Sequence, residues 1–407
     1  MNLAINGGEP LRKSSYPQWP VFDEKEKQKL NEVLESRIWG VGGEQKTEFE
    51  KSFAAYHQAK YCITCVNGTA AIKIALKALG IGGGDEVIIP PYTFIGTATA
   101  VLAANAIPIF VDIDSETYCL SPLDMEKKIT PRTKAIIPVH IGGQPCDMRA
   151  IIDIAQKHHL SIVEDAAQAH GSEWENKKVG ALGDLGCFSF QSSKNVTAGE
   201  GGAILTNSEE LFHSCFSYQN CGRKIEGEWY EHIRFGLNER MSEFQAAILI
   251  AQLQRLDEQM SKREENARYL DTLLSQIDGV KPLAKHPGVS RHAYHLYIFK
   301  YDSQAFGGLG KNKFVAALQA EGIPASIGYP VPLYQTDLFR YGLQQEPCFK
   351  GFYKGELDYS SCSCTSAEKA CREALWLPQN VLLGSKRDID DIASAILKIK
   401  ENLGEIL

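Results

Sequence analysis

The sequence predicts an α/β fold in which a mostly parallel sheet lies between helices and a smaller C-terminal α+β domain follows. Short apolar runs alternate with helical stretches over the first two-thirds of the chain. A long amphipathic stretch then separates this region from a shorter one with mixed elements. The length of 407 residues exceeds what one ordinary hydrophobic core supports. We therefore predict a large domain at residues 1–255 and a small domain at residues 256–407.

The strands of the large domain are predicted from short apolar runs that end in polar turn residues. The first, at 61–66, leads through Asn67-Gly68-Thr69 into an amphipathic helix at 70–79. A strand that returns across the sheet is expected at 201–206. Between them, further strands are predicted at 86–89, 108–111, 135–139, 161–164 and 186–190.

The second part of the chain begins with an apolar period near 3.6 residues, which runs from Met241 to about Ile277. This period predicts one long helix that links the two domains. In the small domain we expect a strand at 295–300, a helix at 312–321 and a terminal amphipathic helix at 388–402.

One lysine, Lys194, lies in a turn rich in serine and glycine between the predicted strands at 186–190 and 201–206. A partly desolvated lysine can lose its proton and attack a carbonyl, forming a Schiff base with a substrate or with pyridoxal phosphate (PLP). An isolated lysine in a turn is usually only a solvated surface residue. The residues upstream favour the chemical interpretation.

A carboxylate, Asp165, follows the predicted buried strand at 161–164. Ligands bind at the carboxyl ends of such strands in open α/β sheets. The ring nitrogen of PLP stays protonated only beside an anion, so Asp165 and Lys194 together match the needs of that cofactor. If Asp165 is considered without Lys194, the alternative interpretation is an acidic residue at a strand end that only caps the next helix.

The turn at Gly68 and Thr69 is a candidate phosphate site, because it opens the helix at 70–79. Backbone N–H groups and the helix dipole favour an anion there, while Gly68 allows close approach and Thr69 adds a hydroxyl. An ordinary N-cap turn is the alternative interpretation.

Together these segments resemble the sugar aminotransferase family often called DegT/DnrJ/EryC1/StrS, a family of fold-type I PLP enzymes. The resemblance runs almost from end to end. The motifs that carry it are WGVGG at 39–43, GDEVIIP at 84–90 with Thr93-Phe94, PVHIG at 138–142, EDAAQ at 164–168, the lysine turn, and GLNERMSEFQAA at 236–247.

The resemblance implies a role for each matching residue. Lys194 would hold the cofactor covalently and shuttle the proton, while Asp165 would pair with the pyridinium nitrogen. Gln168 matches the position beside the cofactor's phenolic oxygen, and Phe94 the position that stacks on the ring. Core packing is the alternative for both Gln168 and Phe94.

The phosphate contacts implied by the resemblance come from two subunits. Gly68, Thr69 and Ser189 match the contacts within one subunit, and Gln191 is a neighbouring candidate. Asn238 matches the residue that reaches the phosphate from a partner. The implied assembly is a homodimer with shared active sites.

The implied activity is transfer of an amino group from glutamate or glutamine to the ketone of a cyclitol or keto-sugar such as scyllo-inosose. Glu200 and Tyr334 favour this free acceptor over a nucleotide-linked ketosugar, the alternative substrate, although either residue could serve packing or a turn. His170 and His295 are candidates for hydroxyl recognition or structural histidines. A non-catalytic PLP-binding regulatory protein is the alternative of another class.

Composition excludes several other functions. The net charge of −7, without a basic cluster, argues against a nucleic-acid partner. No apolar window approaches the roughly 18 residues that span a bilayer, and no signal pattern is present, so we expect a cytoplasmic protein without membrane contact. The eleven scattered cysteines indicate reduced thiols. We predict no metal site, because Cys62 and Cys65 lack a matching second pair.

Overall fold

A computed structural model describes residues 2–346, residue 349 and residues 357–407 of the protein. Its largest sheet has seven strands in the order β1-β9-β8-β5-β4-β2-β3, and two three-stranded sheets have the orders β10-β12-β13 and β11-β6-β7. The strands are β1 (Tyr61–Cys65), β2 (Glu86–Ile89), β3 (Ile107–Phe110), β4 (Thr133–Ile136), β5 (Ser161–Asp165), β6 (Glu173–Trp174), β7 (Lys177–Lys178), β8 (Leu185–Ser189), β9 (Gly202–Thr206), β10 (Val280–Pro282), β11 (Val289–Arg291), β12 (Leu296–Tyr301) and β13 (Ala374–Pro378).

The seven-stranded sheet is parallel except for β9, which pairs antiparallel with both β1 and β8. The pairs β2–β3, β2–β4, β4–β5 and β5–β8 are parallel. Strands β2 and β8 are buried along their whole length, which explains their nearly continuous apolar sequences. The predicted α/β class with a mostly parallel sheet is confirmed.

The helices connect these strands and build the outer layers. They are α1 (Glu24–Ser36), α2 (Glu44–Tyr56), α3 (Gly68–Ala78), α4 (Ile95–Ala103), α5 (Pro122–Lys127), α6 (Met148–His158), α7 (Glu209–Gln219), α8 (Glu243–Gln254), α9 (Leu256–Leu274), α10 (Lys311–Ala320), α11 (Leu343–Gln345), α12 (Thr365–Glu373) and α13 (Lys386–Glu401). Within the described residues, no helix is both long and apolar enough to cross a membrane.

The prediction of one long helix from Met241 to Ile277 is wrong, because the chain breaks between α8 and α9 at Arg255. Arg255 has φ −102° and ψ 0°, outside the helical region. Its guanidinium pairs with Glu26 and, at 2.9 Å, with Asp23 at the start of α1. The ion pairs thus join the residue between α8 and α9 to the start of α1.

The hydrophobic side chains form two clusters. The first surrounds the seven-stranded sheet and includes Leu256 and Tyr334, whereas the second includes Leu3 and the inner face of α13. Both ends of the described chain therefore pack into the second cluster. The division of the chain into domains at residue 255 stays a prediction.

Candidate active site

Lys194 lies in the turn between β8 and β9, where its backbone N–H donates to the Gln191 carbonyl at 2.9 Å. Its side chain is half-buried. Burial lowers the pKa of Lys194 to about 8, and attraction to Asp165 opposes this shift. A larger share of this amine is therefore unprotonated near neutral pH than for an ordinary lysine, which is the form that attacks a carbonyl.

Asp165 is the last residue of β5 and is buried at the carboxyl edge of the sheet. The Thr97 hydroxyl on α4 donates to its Oδ2 at 2.7 Å, and the Ala167 N–H donates to its Oδ1 at 3.2 Å. Burial raises the pKa of Asp165, while these two hydrogen bonds and the charge of Lys194 act in the opposite direction. The site thus holds a buried carboxylate that a nearby cation would stabilise.

The neighbouring carboxylate, Glu164, has a structural environment. It is fully buried and accepts hydrogen bonds at 2.8 Å from the backbone N–H groups of Gly180, Leu182 and Gly183. The Nε2 atom of His140 lies 3.0 Å from Glu164, and His140 Nδ1 accepts from the Cys146 N–H at 3.1 Å. Glu164 therefore anchors the loop before β8 and leaves Asp165 to face the cleft.

The predicted phosphate residues lie close together at the start of α3. A Cβ placed on Gly68 would lie only 2.8 Å from the Ser189 Cβ, so glycine allows the helix to approach β8. The Asn67 side chain caps α3 by accepting from the Ala70 N–H at 2.8 Å. Gly68, Thr69 and Ser189 therefore converge at a helix N-terminus of the kind that binds phosphate.

Phe94 and Gln168 are the predicted contacts of the cofactor ring. Phe94 precedes α4 and is 60% exposed, and a Cβ on Gly96 would lie 2.7 Å from Thr69 Oγ1 and 3.0 Å from the Phe94 ring. Gln168 is buried and accepts from the Gly142 N–H at 2.7 Å. Phe94 thus presents an open ring face near the phosphate turn, as stacking on a cofactor would require.

The two remaining phosphate candidates differ, because the Gln191 backbone N–H donates to the Ser189 hydroxyl at 3.4 Å whereas Asn238 is exposed. The Gln191 amide binds its own turn, accepting from the Ser193 N–H at 2.9 Å and donating to the Ser192 hydroxyl at 2.7 Å. Asn238 is exposed and lines a separate surface cavity of about 270 Å³ with Arg240. The family resemblance assigns Asn238 to the phosphate of a partner subunit.

The residues considered for acceptor recognition have varied environments. His170 is fully buried against Phe188 and Phe190, away from solvent. His295 Nδ1 lies 3.3 Å from the Asn195 Oδ1, beside the lysine turn. Tyr334 is buried, and its hydroxyl donates a structural hydrogen bond to Glu368 at 2.8 Å. Glu200 is exposed.

Two polar groups of the site, Thr97 and Tyr329, are not predicted from the sequence. The Thr97 hydroxyl lies 2.9 Å from that of Thr93, but no local pattern in the sequence indicates its contact with Asp165. Tyr329 interacts with the Gln168 side chain. Among the residues described, no cluster of histidine, cysteine and acidic side chains is arranged to hold a metal ion.

A comparison with protein families shows what kind of protein carries this site. Residues 20–397 match the DegT/DnrJ/EryC1/StrS aminotransferase family. The chain belongs to this family. It is thereby an aminotransferase, and the predicted family, enzyme class and fold-type I architecture are confirmed.

Individual relatives match nearly the whole chain. An L-glutamine:2-deoxy-scyllo-inosose aminotransferase of Streptoalloteichus tenebrarius is 36% identical over 422 residues, covering 100% of this chain and 99% of the relative. The crystal structure of 3-amino-5-hydroxybenzoic acid synthase is 34% identical, with a TM-score of 0.86 and coverage of 95% of this chain and 99% of that one. The structure of NtdA from Bacillus subtilis, solved with the bound cofactor PMP, is 27% identical with a TM-score of 0.82, covering 97% and 88%.

The lowered pKa of Lys194 predicts how its reactivity depends on pH. Below a pH of about 8 the ammonium form dominates and does not react, so labelling by an amine reagent should rise with a midpoint near pH 8. An ordinary lysine has its midpoint at about 10.4. Asp165→Asn removes the attraction that raises the pKa, so the midpoint should move to lower pH. Peptide mass spectrometry of the cofactor-free protein measures both midpoints, with exposed Lys51 as the internal reference; equal midpoints for Lys194 and Lys51 would refute the prediction.

Proposed function

We propose that this protein transfers the amino group of L-glutamine, or of glutamate, to the ketone of a cyclitol related to scyllo-inosose, using PLP held by Lys194. The observation that carries the proposal is the lowered pKa of Lys194, together with the buried carboxylate Asp165 at the carboxyl edge of the sheet, whose charge acts on that lysine. We expect this reaction to take place in the cytoplasm.

The residues present fit PLP. A protonated ring nitrogen would supply the cation that buried Asp165 lacks, and the turn formed by Gly68, Thr69 and Ser189 suits the phosphate. The exposed ring of Phe94 offers a stacking surface. When bound, PLP supplies an electron-withdrawing ring that stabilises negative charge on the carbon that loses its proton.

The protein's own groups then have distinct tasks. The Nζ atom of Lys194 holds the cofactor covalently and, as a free amine, accepts the proton from the α-carbon of the donor. Asp165 keeps the ring nitrogen protonated, and the Thr97 hydroxyl fixes the orientation of that carboxylate. Gln168, held by the Gly142 N–H, interacts through its side chain with Tyr329.

The choice of substrates draws support from the relatives. The relative from Streptoalloteichus tenebrarius is named for L-glutamine and 2-deoxy-scyllo-inosose, and it matches the chain along its entire length. The synthase structure, named for 3-amino-5-hydroxybenzoic acid, also belongs to a protein whose named product is a substituted six-membered carbon ring. Both favour a free ring acceptor over a nucleotide-linked ketosugar.

The absorption spectrum of the PLP-loaded protein tests the function directly. L-Glutamine or L-glutamate should remove the band of the Lys194-bound cofactor, and scyllo-inosose or its 2-deoxy form should restore it. Restoration only by a nucleotide-linked ketosugar would select the alternative acceptor. A band that ignores every amino donor would instead support the non-catalytic regulatory protein.

We further propose that the active sites are completed in a homodimer. Several exposed apolar side chains precede Asn238 closely in the chain: Trp229, Tyr230, Phe235 and Leu237. Exposed Val41 lines the same surface cavity as Asn238. Exposed apolar surface of this kind often marks a protein interface. A second copy seated there would bring its Asn238 toward the phosphate turn, which is the role that the family resemblance implies.

Substitution of Phe235, which is 81% exposed, should weaken the dimer. Phe235→Glu places a charge in the proposed interface, so we expect at least about tenfold weaker self-association by sedimentation analysis. Cofactor affinity should fall with it, because each site would lose the partner's Asn238. Leu123→Glu, at an apolar residue that is 79% exposed elsewhere, is the matched control. Unchanged association of Phe235→Glu would exclude this surface as the interface.

A further inference from the structure

The most unusual charge in the interior is the guanidinium of Arg263 on α9. Arg263 is fully buried, yet no carboxylate lies within ion-pair distance of it in the part of the chain that the structure describes. Its Nε and Nη2 atoms donate to the Gln379 side-chain oxygen, and Nη2 also donates to Gln259 at 3.3 Å. Its Nη1 atom has no hydrogen-bond partner among the described residues. Such a buried, unpaired cation is costly.

An aromatic ring compensates part of this cost. The guanidinium carbon of Arg263 lies 5.4 Å from the centre of the Trp19 ring, within the range of a cation–π interaction. Tryptophan gives the strongest such interaction, and it is stronger still where the cation is desolvated. The charge of Arg263 therefore favours one orientation of the Trp19 indole.

That orientation directs the indole toward the lysine turn. The Trp19 Nε1–H donates to the Ser192 carbonyl at 3.0 Å, two residues before Lys194. On the other side of Lys194, the buried Asn195 amide donates to the Ala293 carbonyl at 2.7 Å. Lys194 is thus held between two anchors from distant parts of the chain, and Ser192 itself is exposed.

We propose that Arg263 and Trp19 are positioning residues for Lys194. The buried cation fixes the indole, and the indole N–H fixes the turn from which the lysine amine extends. This matters in a reaction that frees the amine from the cofactor in every cycle, because the free amine must return to the same place. The inference rests on the proposed function for that role, whereas the physical linkage from Arg263 to the turn does not.

Hydrogen exchange of the cofactor-free protein tests the linkage. The reporter is the peptide that spans residues 188–200, which contains the Lys194 N–H bonded to Gln191. Trp19→Phe keeps a ring over Arg263 but removes the N–H, so exchange in this peptide should become about fivefold faster. Arg263→Met should accelerate the same peptide, and Arg263→Lys, which keeps a cation over the ring, should restore part of the protection.

The double variant Trp19→Phe with Arg263→Met gives the decisive comparison. If Arg263 acts through the indole N–H, the double variant should exchange no faster in this peptide than Trp19→Phe alone. The proposal would be overturned if the accelerations of exchange caused by the two single substitutions multiplied in the double variant. It would also be overturned if Arg263→Met unfolded at a lower temperature without any change of exchange in this peptide. Should Arg263→Met fail to fold, unchanged exchange in Trp19→Phe would overturn it equally. Trp174→Phe, at a buried tryptophan outside the turn, is the matched control.

Cofactor loading separates this inference from the proposed function. The apparent Kd for PLP should rise about fivefold in Trp19→Phe, in parallel with the exchange rate. If the unaltered protein never forms a covalent bond between Lys194 and PLP, the proposed function fails while the exchange pattern still tests the linkage. If the unaltered protein forms the covalent bond, and Trp19→Phe has the same apparent Kd for PLP and the same exchange rate in the peptide, the linkage alone is refuted.

Discussion

Replacement of Lys194 by alanine is expected to lower kcat for amino transfer by at least about 10³-fold, while the protein still binds PLP without a covalent bond. In the proposed function one amine serves both as the covalent anchor and as the proton carrier, so its loss would remove two contributions at once. Steady-state assays with glutamine and 2-deoxy-scyllo-inosose measure kcat. Borohydride reduction followed by peptide mass spectrometry should add the cofactor to the Lys194 peptide of the unaltered protein alone.

Three comparisons make the result specific to the amine. Lys194→Arg keeps a positive charge but no nucleophile, and should be as inactive as Lys194→Ala. Lys51→Ala removes an exposed lysine on α2 and should leave kcat unchanged. Added methylamine should restore a small part of the activity of Lys194→Ala, because it can carry the proton. Substantial activity of Lys194→Ala without any added amine would assign the proton transfer to another group.

The sequence predicted the elements of the sheet well because buried parallel strands leave a strong local pattern. The predicted strand at 86–89 coincides with β2, and the others differ from the observed bounds by one to three residues at their ends. The break at Arg255 could not be predicted in this way. It coincides with ion pairs to Asp23 and Glu26, more than 200 residues earlier, and a local helical period contains no information about such partners.

The site shows the same division between local and distant information. Asp165 and Gly68 were predictable, because a strand end and a helix start each fix where a side chain or backbone group points. Thr97 was not, since its contact with Asp165 joins residues 68 apart. The placement of the Gln191 side chain in its own turn depends on side-chain geometry, and the proposed role of Asn238 requires a second copy of the chain.

Substitution of Asp165 by asparagine is expected to lower kcat by about 10²- to 10⁴-fold, with little change in the folded structure. Asparagine keeps the shape of the side chain and can still accept from the Thr97 hydroxyl, but it lacks the charge that keeps the ring nitrogen protonated. Rapid-mixing absorbance of the first half-reaction with glutamine isolates the proton-transfer step. An Asp165→Asn protein with a normal rate in that step would show that the carboxylate does not serve the cofactor.

The adjacent carboxylate provides the control, because Glu164 and Asp165 differ in surroundings more than in chemistry. Glu164 accepts from three backbone N–H groups and from His140, so its charge holds a loop. Glu164→Gln should therefore lower the free energy of unfolding by about 2 to 3 kcal/mol, since charge-assisted hydrogen bonds are lost. Asp165→Asn should change that free energy far less, because burial already raises the pKa of this carboxyl and disfavours its charge. Urea unfolding should therefore show the larger loss of stability in Glu164→Gln, whereas steady-state assays should show the larger loss of kcat in Asp165→Asn. If one variant shows the larger loss in both measurements, the two carboxylates share one role.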